Sequence, residues 1–329
     1  MKTKKQIQTK SFGLVQVRKG SAPFLPAQSL TKTVASNLMK TEQLKEFYES
    51  LSELNNGFTH YTFVWNQFNI DYLATIESKP ETQTNEYFLD NPYKRKHNIK
   101  FKELENEHIK TNTTLVNGMY VLIYTHFESY LKNMLDFAKT IDSCILSLED
   151  KSDSFDEDII VIDKVFNRIG INKSDFKNEL IDTLDYLRLK RNKLIHSNSK
   201  NISGTISELI KNKGKQLNNF WNVNLPSSLQ GIEFTNKENF NEITFSIVID
   251  TINTLRRIAL EINNIIIQKL SKERILNKFI IPNFQTMHKG KINGLEIERK
   301  VSKFRAFCKS EFGMDLDDND IETYKSSIA

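Results

Sequence analysis

From Thr41 onward, apolar residues return every three or four positions: Leu44, Phe47, Leu51, Leu54, Phe58, Tyr61, Trp65, Phe68 and Tyr72. This heptad seam runs through Asn55-Asn56-Gly57, so it predicts either one long helix or a helical hairpin bent at the glycine. Its aromatic content points to packing within the chain, with part of an oligomer interface as the other use. The polar stretch Ser78–Ile99 holds two prolines and reads as a connection. A second long helix is expected over Phe101–Lys139, on a stripe of Leu104, His108, Leu115, Met119, Leu122, Ile123, Phe127, Tyr130, Leu131 and Met134. Residues 140–158 read as a loop, and Ile159–Ile169 as a short apolar element that Gly170 ends in the manner of a helix C-terminus. With Ser174 as N-cap, a third helix is predicted from Asp175 to Ile195. Its stripe is Phe176, Leu180, Leu184, Leu187, Arg191 and Leu194, so an arginine occupies a slot where the period calls for an apolar residue. A loop-rich stretch with a short strand around Ile232–Phe245 then leads to a fourth helix, Phe245–Leu270.

Four helices with moderate loops and no run of alternating strands predict an all-α bundle with N- and C-terminal extensions. The division expected is a basic arm and long helical extension over 1–100, a helical core over 101–270, and a C-terminal extension with an acidic tail over 271–329. The first 41 residues contain no Asp or Glu, and Phe12–Val17 within them suggests one short strand. This arm reads as a solvated tail or as a phosphate-contacting element.

The chain has 329 residues, a net charge of +5 and a pI near 8.9, values that permit an anionic partner without requiring one. No run of about 18 apolar residues is present, so no membrane span is expected. The N-terminus lacks the apolar middle of a signal peptide, and two cysteines cannot make a disulfide framework, so the expected setting is a reducing cytoplasm. Cys144 is expected to be a small buried residue.

Several chemistries fail on inspection. Asp315–Asp320 (DLDDND) superficially resembles a calcium loop, but Asp320 stands where glycine is needed and Ser326 where the bidentate glutamate is needed. His60, His97, His108, His126 and His288 show no zinc-ligand spacing, and phosphate-binding and nucleophile-elbow motifs are missing. No cofactor and no metal are expected. What remains is RNKLIH, with Arg191 and His196 five residues apart. By spacing alone, Arg191 reads first as a cation favoured by the helix C-terminal dipole, with His196 in the following loop.

The neighbouring segments add to this. VLIYTHFESYLKNML carries Glu128 among aromatic residues, followed by RIGI and then RNKLIH, where Asn192 directly follows the arginine. In this order the segments resemble the HEPN superfamily, in its prokaryotic ribonuclease and toxin branch with an Arg-Asn-x-x-x-His motif. The resemblance covers about residues 101–270, and so implies a HEPN-like helical bundle there. It implies an RNA endonuclease of the toxin or antiviral-defence kind, acting without metal on tRNA or mRNA. The active site would form at a homodimer interface, and an antitoxin or regulatory protein would restrain it. Carried over, Arg191 and His196 are the catalytic pair, Asn192 positions them and Glu128 orients Arg191. Asn198 stands where some toxin members have a tyrosine, so regulation through that residue is not implied.

The chemistry of these residue types is consistent with that assignment. RNA supplies its own nucleophile in the 2′-hydroxyl, so a nuclease needs proton transfer and positive charge on the phosphorane. Histidine titrates near neutrality, and arginine offers a permanently charged fork to two oxygens. Lys190 and Lys193 would hold adjacent phosphates as RNA-binding residues. The alternative is a non-catalytic helical module for dimerisation or nucleic-acid binding.

Overall fold

The computed structural model describes residues 39–150, 160–196, 204–237, 240 and 242–328. The strand expected at Phe12–Val17, the rest of the basic arm and Asn198 lie outside them. The described residues are helical, with no strand. In chain order the helices are α1 (Glu42–Ser78), α2 (Thr84–Tyr87), α3 (Leu104–Ile141), α4 (Val161–Ile169), α5 (Asn178–His196) and α6 (Gly204–Asn224). They continue with α7 (Phe245–Leu270), α8 (Lys272–Ile275), α9 (Ile281–Ile292), α10 (Ile297–Phe312) and α11 (Asp318–Ile328). None is long and apolar enough to cross a membrane.

The heptad seam forms one unbroken helix, α1, because a single exposed glycine costs only about 1 kcal/mol. Thr41 starts it: its side chain accepts from the Leu44 N–H (3.3 Å), while its own hydroxyl donates to Asn263 Oδ1 on α7 (2.8 Å). The Asn263 amide donates in turn to the Met39 carbonyl (2.9 Å), so the start of α1 is fastened to the middle of α7.

Helix α3 lies against α1, α4, α5 and α7. Met119, Ile123, Phe127, Leu131 and Met134 are buried as the stripe predicts, but Leu115 and Leu122 are exposed, and Val116 and Tyr120 take the inward positions. The inward arc of α3 is wide because helices flank it on several sides. Two tyrosines satisfy their hydroxyls on α7 carbonyls, Tyr130 on Ala259 and Tyr48 on Arg256, each at 2.8 Å.

Helix α4 ends as predicted on Gly170, whose φ of 74° lies in the left-handed region. Helix α5 starts at Asn178 rather than Asp175, after a 3₁₀ turn at Lys173–Asp175. The span of α7 matches the expected one, with Thr244 as its N-cap. Helix α6 occupies sequence expected to be loop. Its buried residues, Ile206, Ile210, Gly214, Leu217 and Trp221, step by three and four. No strand forms around Ile232–Phe245 among the described residues. The turn at Phe234 instead lies so close to α6 that a Cβ on Gly214 would come within 2.6 Å of its carbonyl.

The C-terminal segment is no loose tail. Phe284, Phe304, Phe307, Cys308 and Tyr324 join the same hydrophobic core, and Tyr324 stacks on Phe304 at 4.1 Å. The acidic cluster opens α11. Asp320 is buried and accepts the Lys272 ammonium at 2.5 Å. Cys308 is buried and its thiol is pushed up to about 12, whereas Cys144 is exposed, against expectation.

Candidate functional site

Helix α5 carries the whole Arg191–His196 segment and stays helical through His196. It has two inward faces rather than one. Leu180, Leu184 and Leu187 turn toward α3, where the Tyr120 hydroxyl donates to the Leu187 carbonyl (3.3 Å). Thr183, Tyr186 and Lys190 form the second face. Thr183 accepts from the Trp221 indole (2.7 Å) on α6, and Tyr186 packs edge-on against Phe234 and Phe240. Asp182 and Lys213 pair at 3.5 Å between the same two helices.

Consequently the charge that sits in the core is Lys190, only 2 % exposed, and not Arg191, which is half-buried. The Lys190 ammonium donates to the Glu242 carbonyl (3.1 Å) and lies over the Phe240 ring, 5.5 Å from its centroid. Burial pulls its pKa down to about 7, with the Glu242 charge opposing that shift. This corrects the expectation of a surface lysine gripping RNA, since a buried amine does not reach a phosphate in solvent. Lys193 is half-buried and its pKa is lowered by burial.

Arg191 donates to Asn192 Oδ1 at 3.1 Å, a contact within its own helix. Its Nε is buried without a hydrogen-bond partner, and so is the Nε of Arg188 one turn earlier. Arg188 pairs with Asp185 at 3.3 Å. Glu128 on α3 is half-buried, and no ion pair within 4.0 Å joins it to Arg191, so the expected carboxylate–guanidinium contact is not made. Both groups act on Tyr124. Its hydroxyl is raised chiefly by burial and then by Glu128, while Arg188 and Arg191 pull it down. Five charged or hydroxyl groups, Tyr124 and Glu128 from α3 with Asp185, Arg188 and Arg191 from α5, thus share one seam.

Sequence reading missed Tyr124, Asp185 and Arg188. The available signal was the three-residue step from Asp185 to Arg188 and from Arg188 to Arg191, which places each beside the one before it on the helix surface. His196 is exposed at the helix end. Because the helix does not break at Ile195, residues five apart point about 140° from each other. Within one chain Arg191 and His196 do not converge.

Chemically, the seam offers permanent positive charge from Arg188 and Arg191 beside two carboxylates, Asp185 and Glu128, with the His196 imidazole at the exposed tip. No group of three or more His, Cys, Asp or Glu residues gathers as metal ligands among the described residues. The chain matches no family model, and neither a curated protein nor a solved structure matches it.

Proposed function

We propose that the chain is a metal-independent RNA endonuclease of the HEPN kind, in which the seam of one subunit and the exposed His196 of a second form the site. The observation that carries this reading is the state of the α5 arginines. A buried guanidinium N–H without a partner costs about 1–3 kcal/mol, and both Arg188 and Arg191 leave one so. Among the described residues Arg191 is held by Asn192, with no carboxylate fixing it, and so remains ready for a phosphate oxygen. In the cleavage step His196 takes the 2′-hydroxyl proton, that oxygen attacks the adjacent phosphorus to form a 2′,3′-cyclic phosphate, and the 5′-oxygen of the next nucleotide leaves and takes a proton from water. Arg191 neutralises the charge that grows on the phosphorane, and Asn192 holds the guanidinium in place.

The 140° separation requires the second copy. Exposed Leu115 and Leu122 on α3 and Ile195 on α5 offer apolar surface for it. The substrate class under this reading is tRNA or mRNA in the cytoplasm, and a protein partner would restrain the activity.

The same separation favours a second reading, a non-catalytic helical module that dimerises or binds nucleic acid. RNA incubated with the protein in EDTA distinguishes the two. Cleavage that falls by about 10²–10⁴-fold in His196→Ala and Arg191→Ala supports the enzyme. Equal cleavage by all three proteins, or cleavage that needs added metal, removes it.

A further inference from the structure

Far from the α5 arginines, the outer halves of α1 and α3 and the connection between them enclose a cavity of about 410 Å³. This lies within the size range of small-molecule sites, about 300–1,000 Å³. Its walls are mainly rings: Tyr61, Trp65 and Phe68 from α1, and Phe88 and Tyr93 from the connection. The rings are braced from behind. The Tyr61 hydroxyl and His108 Nδ1 are 3.0 Å apart, and the His108 imidazole lies flat on the Trp65 indole at 3.9 Å and 3°. Burial pushes the His108 pKa down, which favours its neutral form in that stack. Phe88 is locked edge-on to Tyr72, at 5.2 Å. The walls are therefore formed before anything binds.

The lip is cationic. Lys94 and His97 line the cavity, and Arg95 and Lys96 stand exposed between them in the sequence. No carboxylate lines it. The Lys94 ammonium is held in place by the Leu89 carbonyl, and among the described residues no carboxylate pairs with Lys94, Arg95 or Lys96. Nearby Lys100 and Lys102 differ, since Glu81 takes both, at 2.7 and 2.6 Å. Asn91 Oδ1 accepts from the Tyr93 N–H (2.8 Å), which leaves the Asn91 amide able to donate to a ligand. Aromatic walls with a cationic lip reject an alkylammonium, which aromatic cages otherwise take, and they suit a planar ring bearing an acid.

We propose that this cavity is a nucleotide site: a base stacks among Tyr61, Trp65, Phe68 and Phe88, and its phosphate meets Lys94 and His97. Stacking on aromatic side chains beside positive charge is how proteins hold unpaired nucleotides without reading sequence. The ligand is a free nucleoside monophosphate or one nucleotide of a single strand, which share this chemistry. The site is distinct from the α5 seam, because the twenty residues of α3 from His108 to Glu128 span about 30 Å. It does not depend on the chain being a nuclease.

Tryptophan emission reports on the site, because Trp65 lines the cavity and the other tryptophan, Trp221, has no exposed surface. Full-length protein is titrated with AMP, with adenosine and, in the His196→Ala variant so that the strand stays intact, with an oligoadenylate. Saturable quenching by AMP or the oligomer is expected, at least tenfold weaker for adenosine and for Lys94→Glu at unchanged thermal stability. Quenching by AMP identifies a free nucleotide as sufficient, and quenching by the oligomer alone assigns the site to a strand. Failure of both to quench, adenosine binding as tightly as AMP, or undiminished binding by Lys94→Glu each overturns the proposal. Cleavage is not read in this experiment, so it stands or falls apart from the ribonuclease reading.

Discussion

The two halves of the α1–α3 pair obey the same sequence rule and come to different ends. In the inner half, Leu44, Phe47, Leu51, Phe127 and Tyr130 are almost entirely buried. In the outer half, Trp65, Phe68 and His108 are half-buried, and Phe63, Ile70 and Leu73 face outward. The boundary has a physical cause. Phe58, the last buried residue of α1, stacks at 4.3 Å on Phe245, the first residue of α7. Beyond that point, among the described residues, the connection between α1 and α3 packs against the pair in place of α7. Periodicity therefore specifies that a helix forms and which side is apolar, while a third element decides whether that side becomes core or a binding cavity.

The largest expected effect that tests this contrast is in the inner half. Phe127→Ala removes a ring from close-packed surroundings and is expected to lower the unfolding free energy by about 3–5 kcal/mol, read from urea denaturation. Trp65→Ala in the outer half should cost under about 2 kcal/mol, because part of its ring is already in water, yet abolish nucleotide binding. Equal losses of stability at the two positions would show that the outer half is core after all.

Lys190 offers an intermediate effect with a defined pH window. Its pKa falls from the usual 10.5 to about 7 on folding, so between those values the unfolded chain binds more protons. Stability then rises with pH across that interval, and the full penalty is present below pH 7. Lys190→Met is expected to stabilise the protein by roughly 2–4 kcal/mol at pH 6, less the lost hydrogen bond to Glu242. The gain should vanish toward pH 10.5, and thermal melts across pH 6–10 check it. A gain independent of pH would mean that Lys190 is not a desolvated cation.

The helices α1, α3, α5 and α7 were legible because each shows one apolar side repeated over many turns. The α6 helix was not, since Lys211, Lys213, Lys215 and several asparagines dilute its stripe, and its burial depends on Gly214 meeting the Phe234 turn. The core slot given to Arg191 belongs to a one-sided view of α5. Once α6 packs on the other side, Thr183, Tyr186 and Lys190 become the second inward face. The last 59 residues read as an extension with an acidic tail because their aromatic residues pack mostly on one another across separate helices, as Phe284 does on Phe304, Phe307 and Tyr324, pairings that the periodicity of a single helix does not encode. The Arg191–His196 spacing was visible, but its geometry was not: five residues on an intact helix point apart whatever the motif says.

That geometry makes the sharpest measurement a mixing experiment. Arg191→Ala and His196→Ala proteins, each inactive, are combined, allowed to exchange subunits and assayed on RNA in EDTA. If the site takes Arg191 from one subunit and His196 from its partner, half of a randomly exchanged population is mixed, and each mixed dimer holds one intact site. Recovery of about a quarter of wild-type cleavage is expected. A mixture as silent as its components, beside an active wild type, contradicts a site shared between subunits.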